Sequence, residues 1–225
     1  MILGITASSR ITAAAGPQFR SVATASTTTS SMTCAMPAGF AAGDILIMQV
    51  NLDIDAKTGS TTYNYYNPPS GWIAQYGFSN FSGDYYERLI FTKTATGSET
   101  SLTWPGVNWY SGAMSIMAIS GGTAIDVVGA PVAGSLTANS ITTTTSSDIL
   151  VGCWWNWSAT SDILIKPASM TERSNINIYS PVHNFYTNTL MTTENLIASG
   201  ATGSRTATTS GTLIYYPAST LLAVK

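Results

Sequence analysis

At 225 residues the chain can bury a sizeable core without disulfide staples, and this length is common for one all-β domain. Only 9% of its residues are charged, against about 25% in an average soluble domain, and nine basic residues without a cluster exclude a nucleic-acid partner. The longest apolar stretches, 44–50 and 113–119, are strand-sized and fall short of the roughly 18 residues a membrane helix needs, so no membrane partner is expected.

Residues 1–10 lack a basic leader and a long apolar run, so no signal peptide is expected, and 1–17 reads as an N-terminal arm. From there, short segments rich in Ile, Val, Thr and aromatic residues recur between Gly, Pro, Asn and Ser clusters. They predict strands at 20–26, 31–35, 44–52, 72–78, 85–94, 100–104 and 112–120. A second set is predicted at 139–144, 148–155, 170–173, 184–192, 205–210 and 220–224.

The two sets look like one pattern used twice. Asp44-Ile45-Leu46-Ile47 answers to Asp148-Ile149-Leu150-Val151, and Pro69-Ser70-Gly71-Trp72 has a weaker echo in Pro167-Ala168-Ser169-Met170. One half alone would leave an apolar sheet face uncovered, so the halves, 18–128 and 129–225, are expected to fold together as a single β-sandwich domain over 18–225. The expected fold class is all-β, a jelly-roll-like antiparallel β-sandwich built from two pseudo-repeated Greek-key halves. Two small tandem sandwiches are the alternative arrangement.

Chemistry is thinly represented. His183 is the only histidine, and it lies in a polar turn with no carboxylate close in sequence, so it reads as a surface or turn residue. A metal-binding cupin needs a His and carboxylate cluster that this chain cannot assemble, and no metal or other cofactor is expected. Asp84, Glu87 and Glu99 are the acids nearest to aromatic stretches, but their spacing gives no hydrolytic pair. Asp53 and Asp55 share one strand face, and the following Lys57 argues for a solvated strand end over a calcium site. Cys34 and Cys153 each sit in an apolar strand and read as buried free thiols. No enzyme is expected.

Aromatic residues are more informative. Period-2 alternation over 148–157 places Trp155 and Trp157 on one face, at the counterparts of polar positions in 44–53. They are either an exposed pair that stacks on sugar rings or anchors a neighbouring subunit, or are buried beneath a loop. Tyr63, Tyr65 and Tyr66, interleaved with Asn, form a second candidate binding or interface set. Trp104, Trp109 and Tyr110 form a third aromatic turn, read as packing.

The order Ala42-Gly43-Asp44-Ile45-Leu46, Pro68-Pro69-Ser70-Gly71-Trp72, the run from Arg88 to Ala95, a Thr-rich strand, and 113–121 resembles β-sandwich domains of tailed-bacteriophage particle proteins. Those occur in head-decoration, tail and fibre-associated components. The resemblance implies a virion structural protein, assembled in the host cytoplasm, that partners with copies of itself or with other virion proteins. It carries no enzymatic residues. Similar domains in secreted bacterial proteins make a carbohydrate-binding or adhesive module, with a glycan partner, the alternative function.

Overall fold

A computed structural model of the protein describes residues 16–29, 31–54, 67–80, 86–105, 109–211 and 214–225. The first half contributes β1 (Gln18–Thr27), β2 (Ser31–Ala35), β3 (Ile45–Ile54), β4 (Ile73–Asn80), β5 (Tyr86–Thr94), β6 (Ser101–Pro105) and β7 (Trp109–Ser120). The second contributes the long strands β12 (Ile149–Ser158), β14 (Thr171–Ser180), β15 (Phe185–Asn195) and β19 (Ile214–Val224) and the four-residue β8 (Ile125–Val128). Between them lie two-residue pieces: β9 (Val132–Ala133), β10 (Thr137–Ala138), β11 (Thr142–Thr143), β13 (Leu164–Ile165), β16 (Gly200–Ala201), β17 (Arg205–Thr206) and β18 (Thr208–Thr209). The described strands pair antiparallel.

The first main sheet runs β1-β7-β3-β5-β4 and the second β8-β19-β12-β15-β14, so the two halves have the same strand order. The matching motifs make matching bonds. Ala95 N–H donates to Asp44 C=O and Leu196 N–H to Asp148 C=O, both at 2.8 Å. Trp72 N–H donates to Pro69 C=O at 2.9 Å, and Met170 N–H to Pro167 C=O at 3.1 Å.

Two points differ from the sequence reading. A jelly roll interleaves strands of both halves, whereas here each main sheet is drawn from one half only. The division between halves also falls at 121–124 and not at 128/129, because β8 pairs with β19 of the second sheet. Of the N-terminal arm, 1–17, all but the last two residues lie outside the described set.

The sheets face each other across one core. Ile45, Ile47, Ile90, Met117 and Ile119 of the first meet Ile149, Val151, Cys153, Trp155, Met191, Leu222 and Val224 of the second. The outer faces are covered as well. Over the first sheet, Met32, Cys34 and Trp104 of the β2–β6 pair, with Trp72, pack on Leu46, Met48, Val50, Leu89 and Phe91. Over the second, Leu136, Ala138, Ile141, Leu164, Met170 and Ala207 pack on Leu150, Trp154, Leu190 and Leu221. Burial on both faces explains why β3 and β12 read as near-continuous apolar runs. Cys34 and Cys153 are buried free thiols, and burial pushes the Cys34 thiol up to about 11.

The β5–β6 turn makes stability sensitive to acid. Burial alone would raise the Glu99 carboxyl, but the Thr96 amide and the Lys93 ammonium outweigh it and bring it down to about 2. Glu99 also accepts the Gly97 amide at 3.0 Å, and Gly97 takes the left-handed φ of 83° that lets the turn close. A carboxyl lower in the folded than in the unfolded chain stabilises above its unfolded value, here 4.5, and that stability is lost as pH falls towards 2. Urea midpoints should therefore drop between these pH values, and Glu99→Gln should flatten that part of the profile; an unchanged profile in the variant would refute this assignment.

Candidate functional site

The space between the sheets changes character along β3. Its inner face reads Ile45, Ile47, Gln49, Asn51, Asp53, so it is apolar at one end and polar at the other. Opposite the polar part lie Trp155, Trp157, Thr187, Thr189, Ser174 and Ser180, all buried. Side chains cross the gap to bond the facing sheet. Gln49 Nε2 donates to Trp154 C=O at 2.9 Å, Asn51 Nδ2 to Asn188 C=O at 3.3 Å, and Trp155 Nε1 to Val50 C=O at 3.3 Å. Ser174 Oγ donates to Ser115 Oγ at 2.9 Å.

Asp53 closes this end. It is buried, the Ser180 hydroxyl donates to its Oδ2, and His183 Nδ1 lies 2.8 Å from its Oδ1. The solvated strand end expected from the sequence is therefore corrected: Asp53 fastens the β14–β15 turn of one sheet to β3 of the other. His183 is likewise no lone turn histidine, because its carboxylate arrives from 130 positions away in the chain. Ser180 and His183 both converge on the acid, and this lacks the nucleophile-on-imidazole contact that acyl transfer uses. Asp55 lies outside the described residues.

Rings line the same end. Trp155 packs 5.7 Å from Tyr76, and Trp157 5.3 Å from Tyr86 and 5.8 Å from Phe185. Phe78 stacks on Tyr86 at 5.7 Å. The series reaches the surface at Tyr215, 5.3 Å from Phe185, and at Tyr216, 5.3 Å from Tyr86 and 6.1 Å from Trp157; these two tyrosines are 38% and 37% exposed. A β-bulge in β19, where the register shifts between Trp155 and Trp157, holds Tyr216 at φ 49°. A bulky residue rarely takes that conformation, and bulges commonly re-aim side chains.

Arg88 stands among these rings. It lies opposite Asn51 on β3 and Phe78 on β4, with its guanidinium carbon 4.3 Å from the centre of the Tyr86 ring. It is 1% exposed, and its Nε and Nη2 have no hydrogen-bond partner. Burial lowers it to about 10, against the opposing influence of Tyr86 and Tyr76, and burial lifts the Tyr76 hydroxyl to about 12. Tyr76 OH, Trp157 Nε1, Thr189 Oγ1, Gln49 Oε1 and Asn51 Oδ1 also lack partners. Chemically this is a donor-rich, aromatic-walled site suited to binding.

Of the residues singled out in the sequence, Trp155 and Trp157 are brought together here, but neither is a surface platform. Both are buried, because β12 is a central strand whose inner face meets the other sheet. Tyr63, Tyr65 and Tyr66 lie outside the described residues, as does Asp84. Glu87 and Glu99 are not brought together: they lie towards opposite ends of β5, about 20 Å apart along an extended strand. Sequence reading missed Arg88, whose signal is a cation at the same strand parity as Ile90 in a run otherwise suited to burial. It also missed Tyr215 and Tyr216, where Pro217 disguised the strand.

Among the described residues no three of His, Cys, Asp and Glu gather as a metal site. The chain matches no family model, no curated protein and no solved structure, so no residue role is carried over from a relative.

Proposed function

We propose that the protein is a non-enzymatic structural component of a tailed-bacteriophage particle, a capsid-decoration or tail/fibre-associated protein that joins its neighbours through the aromatic end of the sandwich. The resemblance of its strand motifs to phage particle domains supplies the particle. One observation carries the contact surface: a series of packed rings runs from buried Trp157, through Tyr86 and Phe185, out to the partly exposed Tyr216 and Tyr215. Rings anchored in a core make rigid contacts at low entropic cost. Both outer sheet faces are already covered by the chain itself, which leaves edges and ends for neighbours.

The test replaces Tyr215 and Tyr216 with alanine together. The wild-type protein should co-purify with particles and form a trimer or larger closed assembly by light scattering, and the double variant should do neither while keeping its thermal midpoint within a few degrees. A wild-type chain that stays monomeric at every concentration and is missing from purified particles sinks the proposal.

A second reading, a carbohydrate-binding or adhesive module, is favoured by the unpaired polar atoms of Arg88, Tyr76, Trp157 and Thr189 beside those rings. Rings that stack and donors that bond are what a sugar requires.

A further inference from the structure

A guanidinium stays protonated in proteins and, once removed from water, needs hydrogen bonds and a counter-charge. Arg88 Nε and Nη2 have no hydrogen-bond partner, and no carboxylate among the described residues pairs with the guanidinium. Asp53, on the same inner face, is engaged by Ser180 and His183, and Glu87 alternates to the opposite face of β5. The unpaired atoms around it are the donors Arg88 Nε and Nη2 and Trp157 Nε1, the hydroxyls of Tyr76 and Thr189, which donate or accept, and two neutral amide acceptors, Gln49 Oε1 and Asn51 Oδ1, neither of which supplies a counter-charge. Arginine forks match planar carboxylates, and the flanking rings of Tyr86, Phe78 and Trp157 match the flat face of a pyranose.

We propose that Arg88 is the anion-recognition residue of a saccharide site at the aromatic end, and that the ligand is an acidic sugar whose carboxylate pairs with the guanidinium while its ring stacks on the adjoining aromatic side chains. This rests on the carbohydrate-binding reading and not on particle membership. Tyr216, held at φ 49° on the bulge and 37% exposed, packs 5.3 Å from Tyr86 at the outer end of these rings, so a sugar that stacks on Tyr86 must take its place. Binding therefore displaces the Tyr216 ring, and Tyr216→Ala accelerates association.

The full chain is titrated with glucuronate, galacturonate and N-acetylneuraminate, against glucose, galactose and N-acetylglucosamine and against sulfate, at matched ionic strength, with tryptophan fluorescence and the thermal midpoint as readouts. At least one acidic sugar should give a saturable change at a concentration at least tenfold below its neutral counterpart. Arg88→Met should abolish that preference while leaving the ligand-free thermal midpoint equal or higher. Should that variant fail to fold, Arg88→Lys, which keeps the charge but loses the fork, should lose at least tenfold in acid preference. Equal binding of acidic and neutral sugars, unchanged in the variants, overturns the role of Arg88 and leaves the carbohydrate reading standing. No response to any sugar overturns both, and a response to sulfate without one to uronate overturns the saccharide assignment.

Discussion

Replacing Trp155 with alanine should cost about 3–5 kcal/mol of stability, seen as a large fall in urea midpoint with little change in slope. Trp155 is fully buried in the core shared by the two sheets and is among the largest side chains there. Its removal opens a cavity lined by both sheets, which cannot collapse because each is held on its far side by a second core. It also leaves Val50 C=O without the indole donor. Trp155→Phe keeps most of the volume and should cost roughly half as much, mainly through the lost bond. A loss below about 1 kcal/mol for the alanine variant would mean that the sheets do not meet at this residue.

Asp53→Ala should be the second most damaging change, at about 2–4 kcal/mol, by stranding the Ser180 hydroxyl and His183 Nδ1 beside a buried position. Asp53→Asn should cost less, because its amide oxygen still accepts one of the two donors. A double-mutant cycle with His183→Ala isolates the cross-sheet contact. Strictly additive losses would show that Asp53 is held by its own sheet and does not tie the two sheets together.

Much of this architecture was legible from period and punctuation. Segment 31–35 coincides with β2, and 44–52, 72–78 and 85–94 fall within a residue or two of β3, β4 and β5, because alternating β-branched runs bounded by Gly and Pro have few other readings. The segment 170–173 covers only the start of β14, because the remainder, 174–180, interleaves its Ile residues with Ser and Asn, which read as turn formers but are tolerated on an edge strand. β19 was started late because Pro217 looks like a breaker, yet the bulge beside Tyr216 accommodates it. The relation between Trp155 and Trp157 and the polar positions Asn51 and Asp53 was visible in the alignment of halves. That these counterparts lie on facing sheets, so that large rings of one half are set against small polar groups of the other, depends on packing between strands about a hundred residues apart. Period-2 pattern says which residues share a face and nothing about what that face meets. For the same reason it exposed the ring-rich strands but not the solitary arginine among them.

Among the described residues no strand of one half pairs with a strand of the other, and the chain passes from the first half to the second at 121–124. During synthesis the first sheet can therefore complete all its pairings before any of the second has left the ribosome. At a translation rate of about 5–20 residues per second, Ile45, Ile47, Ile90 and Met117 then face solvent for several seconds, until their covering strands are made. A nascent chain with a finished sheet and one oily side is a natural client for holdase chaperones. The order of the halves along the gene sets how long it must be shielded.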